Sequence, residues 1–136
     1  MSTIVMKVDL WKAYDCVDWS FLRIILTIIG LSSNIIEWIM ACVTSAHFAV
    51  LINGYPSNFF STGRGLRQGC SLSPLLFILM MDCLNLKIRK AGLEGHFEGI
   101  RLATCIIISQ NLFVDDILAF GMASYQKWRH LHDILQ

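Results

Sequence analysis

The chain has 136 residues, of which 55% are hydrophobic and 15% are charged, and its formal net charge is +1. A nearly neutral chain has no overall basic field to hold a nucleic-acid backbone, which argues against an autonomous nucleic-acid-binding protein. The length predicts one domain, or a piece of a larger one, and the apolar excess predicts that some of its apolar surface meets partners outside this chain.

The cysteines and histidines show neither metal-ligand nor disulfide spacing. The odd number of cysteines and the absence of Cys-x-x-Cys indicate reduced, mostly buried thiols of an intracellular protein, nuclear or cytoplasmic. No signal peptide is evident, and polar and turn residues interrupt the longest stretch without charged residues, 38–63, so we expect no membrane association. The cysteines are Cys16, Cys42, Cys70, Cys83 and Cys105.

The N-terminal third predicts a strand and two helices. Residues 3–10 are rich in β-branched and apolar side chains, which indicates a buried central strand whose end presents Asp9. Asp18 is a suitable N-cap for a helix over residues 19–29, and Gly30 is placed to end it. A second helix, capped by Ser33 or Asn34, runs to about residue 45. Both helices are apolar around most of their circumference, so we expect both to be covered on two sides.

The middle of the chain predicts a hairpin, a basic loop and a long helix. Asn53-Gly54 favours a type I′ turn between strands at 48–52 and 55–60. Residues 62–69 form a glycine-rich loop with arginines, which is typical of a phosphate-binding loop, although a plain solvated loop fits equally well. The next helix has Ser73 as its predicted N-cap, Pro74 in its first turn and Gly92 at its end.

Asp115 and Asp116 interrupt the apolar run 111–120, and this step predicts a tight hairpin turn between short strands. Adjacent bare carboxylates repel each other, so a bound metal ion is one interpretation and a solvated turn is the other. If neighbouring antiparallel strands bring Asp9 to this pair, three carboxylates would suit two divalent ions that act in phosphoryl transfer.

Ser124 is a candidate cap for a last helix with Trp128, Leu131 and Leu135 on one face.

Three segments, in this order, resemble the palm motifs of reverse transcriptases from non-LTR (LINE-type) retrotransposons. Residues 7–15 (Lys-Val-Asp-Leu-Trp-Lys-Ala-Tyr-Asp), followed by Trp-Ser-Phe-Leu at 19–22, are similar to the first motif. Residues 64–77 are similar to the second motif, and Phe-Val-Asp-Asp at 113–116 to the third. The resemblance implies an α+β palm, in which a small antiparallel sheet carries the catalytic acids and packs against helices.

The resemblance also implies a reaction and a site. The reaction is RNA-directed DNA polymerisation, in which two Mg²⁺ ions, or Mn²⁺, assist the transfer of a nucleotide from a dNTP to a primer 3′-hydroxyl. The implied partners are an RNA template, a DNA primer and the missing fingers and thumb segments, without a membrane. The implied catalytic and metal-binding residues are Asp9, Asp115 and Asp116, and the implied substrate-binding residues are Leu10, Tyr14, Arg67, Gln68 and Gly69.

Several positions depart from the family pattern. Cys70-Ser71 stands where Asp-Pro is usual, Val114 replaces an alanine beside the acids, and Gln110 begins a pair that is commonly apolar. We expect residues 1–136 to be the palm part of a reverse transcriptase without the start of the fingers and without the thumb. The alternative is a catalytically inactive retroelement remnant that acts as a protein- or RNA-interaction module.

Overall fold

The structure, a computed structural model, describes residues 3–96, 99–104 and 106–135. It divides the chain into two compact units: the sheet unit, Met1–Trp11 with Ile78–Gln136, and the hairpin unit, Lys12–Phe77. The elements within the described ranges are β1 Thr3–Asp9, α1 Trp19–Ile28, α2 Ser33–Thr44, β2 His47–Phe48, β3 Leu51–Ile52, β4 Tyr55–Pro56, β5 Phe60–Ser61, α3 Leu72–Leu93, β6 Ile100–Ala103, β7 Ile106–Ile108, β8 Gln110–Phe113, β9 Asp116–Met122 and α4 Tyr125–Leu135.

An antiparallel sheet of strand order β1-β9-β8 forms the centre of the sheet unit. The middle strand β9 alternates between buried and half-buried side chains, and Ile117 and Ala119 are fully buried. The prediction that β1 is a buried central strand is wrong, because β9 takes the middle position. In the described part of the chain β1 is paired on one side only, and Val5 is 57% exposed.

The core of the sheet unit lies between the sheet and two helices. Ile88 and Ala91 of α3 pack with Ala119 of β9 and with Leu131 of α4. The predicted apolar face of the last helix is confirmed, because Leu131 is fully buried and Trp128 and Leu135 pack against the same cluster.

Gln110 shows how the sheet accommodates a polar residue where an apolar one is common. Its side chain is half-buried, and its Nε2 donates a hydrogen bond to Asn85 Oδ1 of α3 at 2.8 Å. Because a buried amide costs free energy only when it is left without a partner, this contact offsets the departure from the apolar pattern.

The capping residues agree with the sequence signals at α1 and differ from them at α2. The Asp18 carboxylate accepts a hydrogen bond from the Phe21 amide at 2.8 Å, and Gly30 has a φ of +92° just beyond the helix end. Both features confirm the predicted ends. Helix α2 is preceded by Ser32, without a side-chain cap, so the prediction of Ser33 or Asn34 as its N-cap is wrong.

The predicted Asn53-Gly54 turn is confirmed. The two residues have φ values of +50° and +85°, as a type I′ turn requires, and they connect β3 to β4. A second short antiparallel pair is formed by β2, which precedes β3 in the chain, and β5, which follows β4.

The prediction that α1 and α2 are covered on two sides is wrong. Leu22 and Leu26 are fully buried, whereas Ile28 on the other face of α1 is 77% exposed and Trp38 of α2 is 72% exposed. The two helices pack against each other, and the described elements of the hairpin unit cover only one face of each.

Both ends of helix α3 differ from its sequence signals. The helix starts at Leu72, so Ser73 lies inside the first turn and is not the N-cap, and it continues through Gly92 to Leu93. The positive φ that marks the end of the helix is at Gly95 (+77°). The Gly95 amide donates a hydrogen bond to the Gly92 carbonyl at 3.1 Å. Among the described residues no helix is long and apolar enough to cross a bilayer.

The prediction of mostly buried cysteines is wrong for the residues that the structure describes. Cys16 and Cys42 are exposed, Cys70 and Cys83 are partly exposed, and none of these four described cysteines forms a disulfide. Cys105 lies outside the described residues.

The buried face of α1 predicts a large difference between two truncations in the same helix. Leu22→Ala removes a fully buried side chain and should lower the free energy of unfolding by about 2–5 kcal/mol. Ile28→Ala, the matched control on the exposed face, should change it by about 0.5 kcal/mol or less. Urea unfolding followed by tryptophan fluorescence measures both values, and equal midpoints would contradict this assignment of the helix faces.

Candidate active site

The three predicted acids lie at the same end of the β1–β9 pair. Asp9 is the direct antiparallel partner of Asp116, which places their Cβ atoms about 4.5–5.5 Å apart on one face of the sheet. The Leu10 amide donates a hydrogen bond to the Asp115 carbonyl at 3.0 Å and extends the ladder by one step. The sheet unit therefore places Asp9, Asp115 and Asp116 at one end of the sheet.

The turn between β8 and β9 lies one residue earlier than predicted. Phe113 pairs with Asp116, so Val114 and Asp115 form the turn and Asp116 is the first residue of β9. The prediction of an Asp115-Asp116 turn is wrong in this respect, because pairing with β1 holds Asp116 within the strand. Val114 has a φ of +54°, a conformation that costs a residue with a Cβ about 1–2 kcal/mol.

Lys7 supplies a positive charge beside the acids. It lies two residues before Asp9 on the same strand, and its Nζ is 2.9 Å from Asp116 Oδ2. The hydrogen bond and the charge of Asp116, with smaller contributions from Asp9 and Asp115, raise the pKa of Lys7. The stabilisation therefore persists at neutral pH and is lost only as the pH rises through this raised pKa, and the exposure of both side chains keeps it small.

Sequence reasoning missed Lys7. The sequence could have indicated it, because side chains two residues apart on a strand share a face, and Lys7 lies two residues before Asp9. The sequence did not reveal that Asp116 would lie opposite Asp9, and that register is what brings Lys7 to Asp116.

The donor set at this end of the sheet suits Mg²⁺ in chemical type. Mg²⁺ prefers oxygen ligands and is commonly held by one or two carboxylates together with substrate phosphates. Among the described residues no group of three or more acidic, cysteine or histidine side chains is close enough to hold an ion. The acids thus share one end of the sheet without converging on a single point, and Lys7 is the group that an ion would displace from Asp116.

The glycine-rich loop of the hairpin unit is fastened to the segment before α1. The Gly65 amide donates to the Val17 carbonyl, and Trp19 Nε1 donates to the Gly65 carbonyl, each at 2.8 Å. Gly65 has a φ of +97°, and a Cβ there would lie 3.0 Å from the Asp15 carbonyl oxygen. Gly65 thus serves a close approach of the chain to itself, whereas a Cβ at Gly69 would have no atom within 4 Å.

The predicted substrate-binding residues are divided between the two units. Leu10 lies with the acids in the sheet unit, and Tyr14, Arg67, Gln68 and Gly69 lie in the hairpin unit. The Tyr14 ring stacks on Phe77 with centroids 4.5 Å apart. Arg67, Gln68 and Gly69 are exposed, and Arg67 lines a cavity of about 310 Å³ together with Cys70 and Ser73.

Cys70 stands just before the start of α3, and its carbonyl accepts a hydrogen bond from the Ser73 amide at 3.3 Å. Hydrogen bonds from the Leu72 and Ser73 amides and from the Ser73 hydroxyl, with a smaller contribution from the Arg67 charge, lower the pKa of the Cys70 thiol. The sequence marked this position only as a departure from Asp-Pro. A lowered pKa is the direction expected for a thiol beside the start of a helix.

The sequence of the chain matches one family model over its whole length and two known proteins over part of it. The model of the reverse transcriptase (RNA-dependent DNA polymerase) family matches residues 1–136. A retrovirus-related Pol polyprotein from the type-1 retrotransposable element R2 of Popillia japonica is 26% identical over 114 residues, which cover 84% of this chain and 18% of that protein. An uncharacterized mitochondrial protein of Arabidopsis thaliana is 44% identical over 73 residues, which cover 52% of this chain and 60% of that protein. The chain thus spans less than two thirds of each relative.

Two solved telomerase structures share the fold. The apo telomerase from Candida tropicalis, truncated from its C-terminal domain, matches with a TM-score of 0.70 and 19% identity over 98% of this chain and 26% of its own. The telomerase from Candida albicans in complex with a TWJ fragment of telomeric RNA matches with a TM-score of 0.73 and 16% identity over 99% of this chain and 25% of its own. At these identities the likeness concerns the fold alone, and it confirms the predicted α+β palm-like architecture.

The hydrogen bonds to Cys70 predict how this thiol reacts with iodoacetamide. Because the Ser73 hydroxyl helps to lower the pKa of Cys70, Ser73→Ala should shift the pH midpoint of Cys70 alkylation upward. Ser71→Ala, an exposed neighbour outside the set of donors, is the control and should leave the midpoint unchanged. Peptide mass spectrometry across a pH series measures the rates, and an unchanged midpoint in Ser73→Ala would contradict the prediction.

Proposed function

The chain belongs to the reverse transcriptase (RNA-dependent DNA polymerase) family, and we propose that residues 1–136 are the palm part of an enzyme that copies RNA into DNA. The observation that carries the proposal is the register of the sheet unit, which pairs Asp9 with Asp116 and sets Asp115 one step beyond them. The fingers and thumb, an RNA template and a DNA primer are the proposed partners.

In the proposed reaction, the 3′-hydroxyl oxygen of the primer attacks the α-phosphorus of a deoxynucleoside triphosphate. A new P–O bond forms, the bond to pyrophosphate breaks, and the hydroxyl proton leaves. Two Mg²⁺ ions, or Mn²⁺, would neutralise charge on the attacking and leaving oxygens. Asp9 and Asp115 would hold these ions with Asp116 beside them, and Lys7 would keep the acids paired while no ion is bound.

Five residues are proposed to contact substrate: Leu10 through its backbone beside the acids, and Tyr14, Arg67, Gln68 and Gly69 in the hairpin unit. Two features of that unit support the assignment. The stack on Phe77 fixes the Tyr14 ring, which suits a flat surface that excludes a sugar 2′-hydroxyl. The exposed Arg67 guanidinium and the open backbone at Gly69 suit contact with a charged, bulky ligand.

A second candidate function is an inactive remnant that serves as an interaction module. The observation that favours it is the ion pair of Lys7 with Asp116, which satisfies one site acid without any metal. Several exposed apolar side chains, among them Tyr55 and Phe59 near the β3–β4 turn, are further surface for a partner. Metal binding separates the two functions.

The proposed function predicts that the purified chain binds Mn²⁺ through its three acids. An Asp115→Asn, Asp116→Asn double variant should lose this binding, because it removes two of the three anionic ligands. Asp133→Asn, an exposed acid of α4, is the control and should bind as the unchanged chain does. Electron paramagnetic resonance of free Mn²⁺ measures the binding, and equal binding by the double variant would favour the inactive remnant.

The position of Lys7 predicts an effect of the opposite sign. Lys7→Gln removes the ammonium that competes with a metal ion for Asp116, so Mn²⁺ affinity should rise about two- to fivefold. Lys127→Gln, on α4, is a control that makes the same change of charge elsewhere. The same Mn²⁺ titration applies, and weaker binding in Lys7→Gln would show that the ammonium supports the metal site instead of opposing it.

A further inference from the structure

The sheet unit contains a cavity far from the acids. Its volume is about 510 Å³, and Arg89 of α3, Arg101 of β6 and Ser109 are among the residues that line it. Met122, which also lines it, pairs with Thr3 at the other end of β9 from Asp116. The seven residues of β9 separate the two places by roughly 20 Å, so this cavity is distinct from the candidate active site.

Within the described residues the charged side chains that line the cavity are both positive. Among the described residues, neither the Arg89 nor the Arg101 guanidinium takes part in an ion pair or hydrogen bond. Glu94, an acid just beyond α3, is itself within 3.8 Å of Lys90 and of His96. Two guanidinium groups therefore border one cavity, and no described residue occupies their donors.

The hairpin that carries Arg101 has a defined geometry. A Cβ at Gly99 would lie 2.4 Å from the Ile108 carbonyl oxygen, so the chain enters β6 in close contact with the end of β7. The pairing of β6 with β7 is irregular between Arg101 and Ala103. Such irregularities change the direction of a neighbouring side chain, and Arg101, which lines the cavity, lies next to this one.

The chemistry of the cavity selects its ligand. A guanidinium offers five N–H donors in a planar fork that matches the oxygens of a phosphate group. The C-terminal carbonyls of α3 lie nearby and disfavour anions, so the side chains and not the helix must provide the attraction. Leu93 and Ile107, which are 90% and 60% exposed, add apolar surface at the same place for a base or a sugar.

We propose that this cavity binds phosphodiester groups of a single-stranded nucleic acid through Arg89 and Arg101. Only the choice of a nucleic acid as the source of the phosphate rests on the proposed function, because the anion site follows from the cavity itself.

The test measures the binding of a fluorescently labelled single-stranded RNA of about 12 nucleotides to the whole chain by anisotropy. Arg89→Gln and Arg101→Gln should each weaken binding about three- to tenfold and reduce the slope of log affinity against log salt by about one. The control is Arg129→Gln, an arginine of α4 outside the cavity, which should change neither quantity.

Competition distinguishes the sources of the phosphate. Unlabelled RNA should displace the labelled strand at far lower concentration than inorganic phosphate or a mononucleotide does. Equal potency of mononucleotide and strand would overturn the proposal in favour of a nucleotide site. An effect of Arg129→Gln as large as that of the cavity variants, or no effect of Arg89→Gln and Arg101→Gln, would overturn it as well.

Two further measurements separate ligand binding at the cavity from a purely structural role of Arg89 and from the metal site. Circular dichroism measures the helix stability of each variant. If Arg89 only stabilises the C-terminal end of α3, Arg89→Gln should lower helix stability and leave RNA affinity unchanged. That result would contradict the proposal. The Asp115→Asn, Asp116→Asn variant should retain RNA binding, so a failed metal test and a failed anion site give different results.

Discussion

The register of the β1–β9 pair is the constraint on which the candidate site depends. Asp9 faces Asp116 because seven successive residues pair from Thr3 with Met122 to the acids. A slip of one residue would turn the whole inner face of β9 outward and expose Ile117 and Ala119, which are fully buried. The apolar core therefore fixes the position of the carboxylates, and a change that loosens the core acts on the site as well.

The same register determines the charge of the site. Three acids at one end of a small sheet repel each other, and the strand alternation that brings Asp9 to this face also brings Lys7. The ammonium binds Asp116 and interacts with the other two acids. Because this ion pair is exposed and weak, it can neutralise the acids and still yield to an ion of higher charge. One strand thus carries both a proposed metal ligand, Asp9, and the group that would compete with a metal ion, Lys7.

The sequence predicted those features that depend on a few neighbouring residues. The Asp18 cap and the Asn53-Gly54 turn need only local geometry, and both are present. The edge position of β1 and the exposed face of α1 depend on which elements pack together, and residue patterns do not specify that. The turn at Val114 was displaced by one residue for the same reason, since its position follows from pairing across the sheet. The order of three motifs identified the family, because related proteins share motifs in their sequences. That identification did not require knowing how the elements pack.

The net charge of +1 illustrates how an average conceals a division of charge. Within the sheet unit, Asp9, Asp115 and Asp116 occupy one end of the β1–β9 pair, whereas Arg89 and Arg101 border a cavity at the other end. Charges of opposite sign nearly cancel in the sum, but screening limits each to a range of about 8–10 Å at moderate salt. Two ends that lie roughly 20 Å apart therefore act on a ligand independently. A polyanion near the arginines experiences their local field and not the net charge of the whole chain. The composition of the chain therefore excludes a uniformly basic surface but is compatible with a compact phosphate site.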